Sequence, residues 1–282
     1  YVEVASAPPL AEARLGPALP FALLPIGLAL FWTLIGLPLG GALALLAARG
    51  AVSGVAWTAA VQAHGYIQLF GWLGLFIVGM ALHILPRFKA RPLGLERFRL
   101  PLVLLWSTAV AARAAAPVLP GVWAPSLVVA AAAGGLAAAA LFAAMVGMTL
   151  VAARREPYDA FLLAACAWLI VGTALFTTGA SLAWREGVPY LPRDWDSAAL
   201  DVMAYGFVLL FVFGVSLRVV PFFLSLPPPA ERPLPALLAL HCAGLALLAT
   251  RDLWPAFGGD APGALAVAGA GAVLLAAVGV AL

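Results

Sequence analysis

Residues 63–88 read AHGYIQLFGWLGLFIVGMALHILPRF. This run is apolar and longer than the ~20 residues that a helix needs to cross a bilayer. It nevertheless contains His64 and His83, two of the 3 histidines in the chain. Because ionisable side chains inside a membrane helix are costly and rare, they are functional candidates by default. We therefore expect this segment to be a transmembrane helix that carries the chemistry of the protein.

The same pattern returns later in the chain, where residues 206–223 align with residues 71–88. The matched pairs, all at one constant offset, are Gly71/Gly206, Phe76/Phe211, Gly79/Gly214, Leu82/Leu217, Pro86/Pro221 and Phe88/Phe223. This offset spans four predicted helices, and an even number of crossings returns the chain to the same side. The two copies therefore predict a parallel repeat about an axis along the membrane normal. In the second copy Ala199 stands opposite His64, and Arg218 opposite His83.

The composition indicates an integral membrane protein. The chain is 65% hydrophobic and 10% charged, with a mean hydropathy of +1.08, whereas soluble domains carry roughly 25% charged residues. We predict an all-α polytopic bundle of about eight transmembrane helices, built from two parallel four-helix repeats. The expected division is a cytoplasmic tail at 1–20, a first repeat at 21–152 and a second repeat at 153–282. The predicted spans are 21–48, 59–85, 100–119, 126–152, 158–184, 197–224, 234–248 and 264–282.

The basic residues set the expected orientation. Most of the 15 Lys and Arg residues fall in the tail and in the connections on its side of the membrane. By the positive-inside rule this side is cytoplasmic, so both termini are expected there. The net charge of +3 is explained by this asymmetry, and no nucleic-acid partner is expected. Cys166 and Cys242 lie in apolar segments and are interpreted as packing residues.

Haem is the cofactor that the pattern around His64 favours. On a helix, His64, Gln68 and Gly71 share one face, which offers a nitrogen ligand, a polar neighbour and a position without a side chain. A flat macrocycle lying against a helix requires that combination. The alternative is an interfacial histidine that bonds to water. His64 and His83 are roughly 28 Å apart at 1.5 Å per residue, so they cannot ligate one metal.

His241 provides a second possible arrangement. It is expected roughly 10 Å below the cytoplasmic surface, and His83 is about 6 Å from Arg87 at the end of its own helix. Matched depths would allow His83 and His241 to act as axial ligands of one haem, or both could be ordinary interfacial or hydrogen-bonded residues. Arg218 could pair with a haem propionate or extend to the surface. We expect b-type haem rather than copper, because a three-histidine copper site would need all the histidines together.

The segment also resembles a known family. Ala63-His64-Gly65 with Leu69-Phe70-Gly71, then Gly79, Pro86-Arg87, Arg91-Pro92-Leu93, Trp106 and Arg113, is similar to the pattern of the NnrS family. These are bacterial multi-helix membrane proteins linked to nitric oxide metabolism. The pattern is more distantly similar to subunit I of the haem-copper oxidases, where a histidine near the outer end of the second helix ligates a low-spin haem.

This resemblance implies haem binding by His64, a role in electron transfer or nitric oxide handling, and a place in the bacterial cytoplasmic membrane. It is incomplete in two respects. Those families have about twelve helices, and the sixth helix here has no histidine near Asp201, where copper ligation would be expected.

Two other functions are considered. The first is a cofactor-free accessory or structural subunit of a larger respiratory or photosynthetic complex. The second is a small-solute carrier, although the helices lack paired mid-membrane Gly/Pro breaks. The expected partners are the lipid bilayer and either a second copy of the chain or another membrane subunit that completes the bundle.

Overall fold

The computed structural model describes residues 18–227, 230–260 and 262–281. Within these ranges all regular structure is helical, and eight helices are long and apolar enough to span a membrane. The predicted fold class is therefore confirmed, and the chain is a multi-pass membrane protein. The helices are α1 (Ala18–Ala48), α2 (Gly54–Phe88), α3 (Glu96–Val118), α4 (Trp123–Val151), α5 (Pro157–Glu186), α6 (Arg193–Phe223), α7 (Leu234–Phe257) and α8 (Gly263–Ala281).

Several boundaries differ from the predicted ones, including the starts of α2, α3, α4 and α6 and the start of α1 and the end of α7. Helix α1 begins at Ala18, inside the expected tail, of which residues 1–17 lie outside the described part of the chain. The sequence predicts an end of α7 at Leu248, ahead of Pro255, but the helix continues to Phe257. Arg251 donates to the Asp252 carboxylate, so two charges in the added turns neutralise each other.

The helices pack mainly with their neighbours in sequence. α1 packs on α2, α3 on α4, α5 on α6 and α7 on α8, while α4 and α5 form the main contact between the two halves. We call the side where α1 begins the N-terminal side, and it also holds the α2–α3, α4–α5 and α6–α7 connections. The other connections lie on what we call the opposite side.

The predicted repeat is visible in the local geometry of the helices. α2 widens into a π-helix at Ile67–Gly74, and α6 widens in the same way at Val202–Leu209. The offset between these two segments is the one that aligns Gly71 with Gly206 in the sequence. A π-helix inside an α-helix is uncommon, so its occurrence at both places indicates that the halves share more than a hydrophobic pattern.

Glycine contacts repeat with the π segments. A Cβ atom on Gly71 would lie 3.0 Å from Trp32 of α1, and one on Gly206 would lie 2.6 Å from Trp168 of α5. Further along, Gly79 meets α1 and Gly214 meets α5 at similarly short range. Glycine at these positions lets the two helices of each pair approach closely, which is how packing stabilises helices in lipid.

In each π segment one backbone carbonyl accepts a hydrogen bond from a side chain of the following helix. The indole Nε1 of Trp106 in α3 donates to the Phe70 carbonyl at 3.0 Å. The imidazole Nε2 of His241 in α7 donates to the Tyr205 carbonyl at 2.9 Å. Both the carbonyls and the donors are related by the offset of the repeat. The Phe70 carbonyl also accepts the Leu75 N–H within its own helix, so the indole adds a second donor there and links α3 to α2.

Aromatic rings fill the space where the halves meet. The closest pair is Tyr66 and Phe70, whose rings stack with centroids 4.3 Å apart. The connected rings are Tyr66, Phe70, Trp106, Phe142, Phe176, Phe207 and Phe211. All are nearly or fully buried, and the cluster takes members from both halves.

An ion pair joins the halves on the N-terminal side. Lys89, at the end of α2, contacts Asp159 in the first turn of α5 at 2.7 Å, with side chains only 2% and 10% exposed. The Lys89 Nζ also donates to the Arg154 carbonyl at 2.9 Å, and Asp159 accepts the Glu156 N–H at 2.9 Å. Because its remaining groups are bonded in this way, the pair avoids part of the cost of burying charge.

The capping of the π carbonyl can be tested by Trp106→Phe. The variant keeps an aromatic ring but loses the N–H donor and part of the buried indole, so we expect a loss of about 1–3 kcal/mol of stability from the missing hydrogen bond and packing. The measurement is unfolding of the purified protein in detergent. Trp72→Phe is the control, because Trp72 lies in the same π segment but is 37% exposed. Equal stability of the two variants would contradict this role for Trp106.

Candidate functional site

His64 lies in the seam between α1 and α2. Its Nδ1 atom is 3.1 Å from the Gly36 carbonyl, and because a carbonyl only accepts, Nδ1 carries the proton. A Cβ on Gly40 would lie 2.6 Å from His64 Cε1. The side chain is half-buried, and its Nε2 atom makes no hydrogen bond to the described residues. Because the proton is on Nδ1, Nε2 keeps its lone pair, and it lies 3.0 Å from the position of a Cβ on Gly40.

Gln68 and Gly71 share the face of His64, as predicted, and this face is covered by α1. Gln68 Nε2 would be 3.0 Å from a Cβ on Gly36, and Gln68 Oε1 is buried without a hydrogen-bond partner in the described part of the chain. The space above Gly71 holds Trp32. The structure brings the three residues together, but the clearance at Gly71 is occupied by a side chain of the same protein.

His83 and Arg218 lie toward the N-terminal side. His83 is half-buried near the end of α2, and its carbonyl accepts a hydrogen bond from Arg87. Arg218 is exposed on α6 and lies near enough to Tyr158 for an electrostatic interaction. His64 is at the other end of α2, so Arg218 is not at the depth of His64.

His241 is 1% exposed and belongs to the second half. Its Nε2 donates to the Tyr205 carbonyl, its ring meets Phe213 edge-on at 6.1 Å, and its Nδ1 is buried without a hydrogen bond to the described residues. The main packing partners of α7 are α5, α6 and α8, whereas the His83 end of α2 packs on α1, α3 and α4. The two histidines thus lie on helices with different neighbours.

A polar network that we did not predict lies on the opposite side of the bundle. Gln62 of α2 donates to the Leu191 carbonyl at 2.9 Å and accepts the Leu191 N–H at 2.8 Å. Arg113 of α3 donates to Gln62 Oε1 at 3.3 Å and is only 2% exposed. Asp196 at the start of α6 interacts electrostatically with Arg113. The sequence contains a signal for this network, because Arg113 is a charged residue in an apolar helix.

This network ties the first half to the α5–α6 connection. The Nε and Nη1 atoms of Arg113 have no hydrogen-bond partner among the described residues. Its charge is balanced at longer range by Asp196. Buried charges in membrane helices usually face the bundle interior in this way.

The histidines, cysteines and carboxylates do not converge on one point. Across residues 18–227, 230–260 and 262–281, no group of three or more such side chains is arranged to hold a metal ion. Cys166 is buried and Cys242 half-buried, and both thiols are free. Cys242 Sγ accepts a hydrogen bond from Trp168 at 3.4 Å. These cysteines are therefore placed as packing residues in helices, as the sequence predicted.

Comparison with known proteins adds no identity. No protein-family model matches the chain, and no curated protein matches it. The resemblance to the NnrS family therefore stays a prediction drawn from the residues around His64.

The close packing of His64 on α1 predicts the effect of Gly40→Ala. The new methyl group would clash with the imidazole ring, so we expect a loss of roughly 1–3 kcal/mol of stability, as for other overpacked sites. Adding His64→Ala should remove most of this loss, because the clash partner is gone. Gly41→Ala is the matched control, since a Cβ there meets nothing within 4 Å. Unfolding in detergent measures Gly40→Ala, His64→Ala, the double variant and Gly41→Ala, and an equal loss from Gly40→Ala with and without His64 would show that the seam is not packed as described.

Proposed function

We propose that this chain is an integral membrane haem-binding protein in which His64 supplies one axial nitrogen, with a role in electron transfer or nitric oxide handling. The observation that carries the proposal is the hydrogen bond from His64 Nδ1 to the Gly36 carbonyl at 3.1 Å. Histidines that ligate metals commonly donate their other N–H to a carbonyl, which fixes the ring orientation and tautomer. His64 has this arrangement, and its Nε2 lone pair is unengaged.

The residues around His64 fit this role in part. Gly36 and Gly40 leave room for the imidazole against α1, and the buried Gln68 Oε1 provides an unused acceptor one turn along α2. The clearance expected at Gly71 holds Trp32 instead, so the part of the α2 face beside Gly71 would not accommodate a macrocycle.

When bound, haem iron supplies one-electron redox chemistry and a coordination position for a small gas. The contribution of this chain would be to hold the imidazole in one orientation and to keep its Nδ1 proton on the Gly36 carbonyl. The aromatic cluster and the apolar helices exclude water from the bundle interior. His241 contributes to the fold through Tyr205, and we do not assign it as a ligand.

A cofactor-free accessory subunit is the second candidate function, and one specific observation favours it. Helix α1 already covers the face that carries Gln68 and Gly71, and the glycines at this contact leave too little room for a Cβ atom. Because α1 and α2 pack directly on each other here, their contact is complete without a ligand. The unengaged Nε2 would then contact lipid headgroups, a second copy of the chain or another membrane subunit.

The visible spectrum of the purified protein separates these two functions. Haem binding predicts a b-type reduced-minus-oxidised spectrum that is lost in His64→Ala and kept in His241→Trp, which retains an N–H donor for Tyr205. Addition of nitric oxide to the reduced protein should shift the Soret band if the gas binds. A colourless wild-type protein from haem-replete cells would contradict the haem proposal and favour the accessory subunit.

We also propose that the protein lies in a bacterial cytoplasmic membrane with the N-terminal side in the cytoplasm. The excess of Lys and Arg on that side supports this orientation. Ser53 and Glu231 are exposed in connections on the two different sides. With Cys166 and Cys242 replaced by alanine, an impermeant maleimide added to intact cells should label Ser53→Cys and not Glu231→Cys. The reverse labelling would overturn the orientation.

A further inference from the structure

The interface between the two halves has counterparts that the described chain leaves uncovered. In that interface, α4 and the end of α2 from the first half pack on α5 from the second half. The repeat relates α4 to α8, the end of α2 to the end of α6, and α5 to α1. Residues 18–227, 230–260 and 262–281 contain two repeats, so α8 with the end of α6, and separately α1, are open in this part of the chain.

Local contacts determine how the helices of the two halves align. Trp32 of α1 and Trp168 of α5 both pack on the repeated glycine of the neighbouring π segment, so these tryptophans are counterparts. Their offset is one residue longer than that of the π segments. Gly134 of α4 and Gly269 of α8 both face the helix before them and are related by the offset of the π segments. Each residue of α1 and α8 can therefore be matched with its counterpart in α5 or α4.

α1 exposes positions whose counterparts on α5 are buried. On α5 these positions recur at heptad spacing, which keeps one side of a helix against a neighbour. The buried residues are Asp159, Cys166, Thr173 and Ala180. Their counterparts on α1, all exposed, are Leu23, Leu30, Leu37 and Ala44. We call these residues of α1, together with Gly41, the α1 face.

α8 differs from α4 in the same way. Thr177 of α5 donates to the Ala132 carbonyl of α4 at 3.4 Å, so Ala132 marks the side of α4 that meets the second half. The buried residues on this side are Ala132, Gly135 and Ala139. Their counterparts on α8, all exposed, are Val267, Ala270 and Leu274. With Leu224, which follows α6, these residues form what we call the α8 face.

The charged contact between the halves has an apolar counterpart on these two faces. Lys89 and Asp159 form the ion pair that joins the halves. The counterpart of Lys89 is Leu224 and that of Asp159 is Leu23, which are 64% and 62% exposed. A change at only one of these positions would leave a charge without its partner in a protein contact, which is costly. Both positions are leucine instead, so the two faces match each other.

A second contact shows a matched exchange of size. Thr177 on α5, the larger residue, meets Ala132 on α4, the smaller one. Their counterparts are Gly41 on the α1 face and Val267 on the α8 face, so the larger residue has moved to the other helix. A Cβ on Gly41 would meet nothing within 4 Å, and Val267 is 76% exposed. The room left at Gly41 therefore suits the larger side chain of Val267.

These two matches favour a protein partner over lipid. Acyl chains cover any apolar surface and gain nothing from a paired exchange of charge or size. The two matched faces belong to the same chain, so a second copy presents the α1 face to the α8 face of the first.

We propose that this chain binds a second copy of itself head-to-tail, with the α1 face of one copy packed on the α8 face of the other. The contact continues the internal repeat from one copy to the next and uses two different surfaces, as heterologous interfaces do. This association is independent of haem binding.

The charge exchange provides the first test. Copies of the full chain that carry donor or acceptor fluorophores are reconstituted in phosphatidylcholine liposomes, and energy transfer is followed as added lipid dilutes the protein. We expect Leu23→Asp and Leu224→Lys each to weaken association by about tenfold, because each leaves a charge without a partner in the interface. The variant with both changes should recover most of this loss, because it recreates the pairing of Lys89 with Asp159.

Mixing the single variants tests the head-to-tail arrangement. Donor copies with only Leu23→Asp should bind acceptor copies with only Leu224→Lys more tightly than either variant binds itself, because the two residues lie on different copies.

The size exchange provides a second test should the charged variants fail to fold. Gly41→Thr should weaken association, and adding Val267→Ala should restore it, because the pair then repeats the contact of Thr177 with Ala132. Gly27→Thr is the matched control. A Cβ there also meets nothing within 4 Å, but its counterpart Leu163 is 38% exposed, so Gly27 lies off the α1 face.

Three results would overturn the proposal. The first is wild-type energy transfer no higher than that of randomly distributed monomers. The second is association of the double variants that is as weak as that of the single variants. The third is equal weakening by Gly27→Thr and Gly41→Thr.

Discussion

Backbone hydrogen bonding inside the bilayer is the constraint on which this structure depends. A helix satisfies most of its own carbonyls, and in the bilayer interior there is no water to bond with a polar group that stays unpaired. Both halves widen into a π segment at the same place, and in each a carbonyl accepts a hydrogen bond from a side chain of the following helix. The position of α3 against α2, and of α7 against α6, is fixed by these two bonds. The glycine contacts of α1 and α5 then close the other face of each widened helix.

The duplicated unit also shows how the halves have come to differ. Trp106 and His241 perform the same hydrogen bond with different rings, and only the imidazole has a second nitrogen left over. At the α1–α2 seam Gly40 accommodates His64. In the second half, where Trp168 matches Trp32, Phe176 stands at the position of Gly40 and Ala199 at the position of His64. Phe176 joins the aromatic cluster. Of the two halves, only the first therefore has a histidine in the seam between its first two helices.

Much of the fold could be predicted because it follows from hydrophobic length and repeated glycines. The eight spans, the constant offset of the repeat and the shared face of His64, Gln68 and Gly71 all have local signals. The role of His241 had no local signal, because its partner is the backbone carbonyl of Tyr205 in the π segment of another helix. The Gln62–Arg113 network depends on a loop residue, Leu191, that bonds through its backbone. Contacts made through backbone atoms give no signal in the pattern of side chains along the sequence.

We infer that His241 is a structural donor to Tyr205 and that the Gly36 carbonyl holds His64 in one orientation. With only 3 histidines in the chain, ¹⁵N NMR of histidine-labelled protein can assign the proton on each ring, using His→Ala variants for identification. The account predicts a neutral His241 with its proton on Nε2 and a His64 with its proton on Nδ1. A His241 protonated on Nδ1, or a His64 protonated on Nε2 alone, would contradict it.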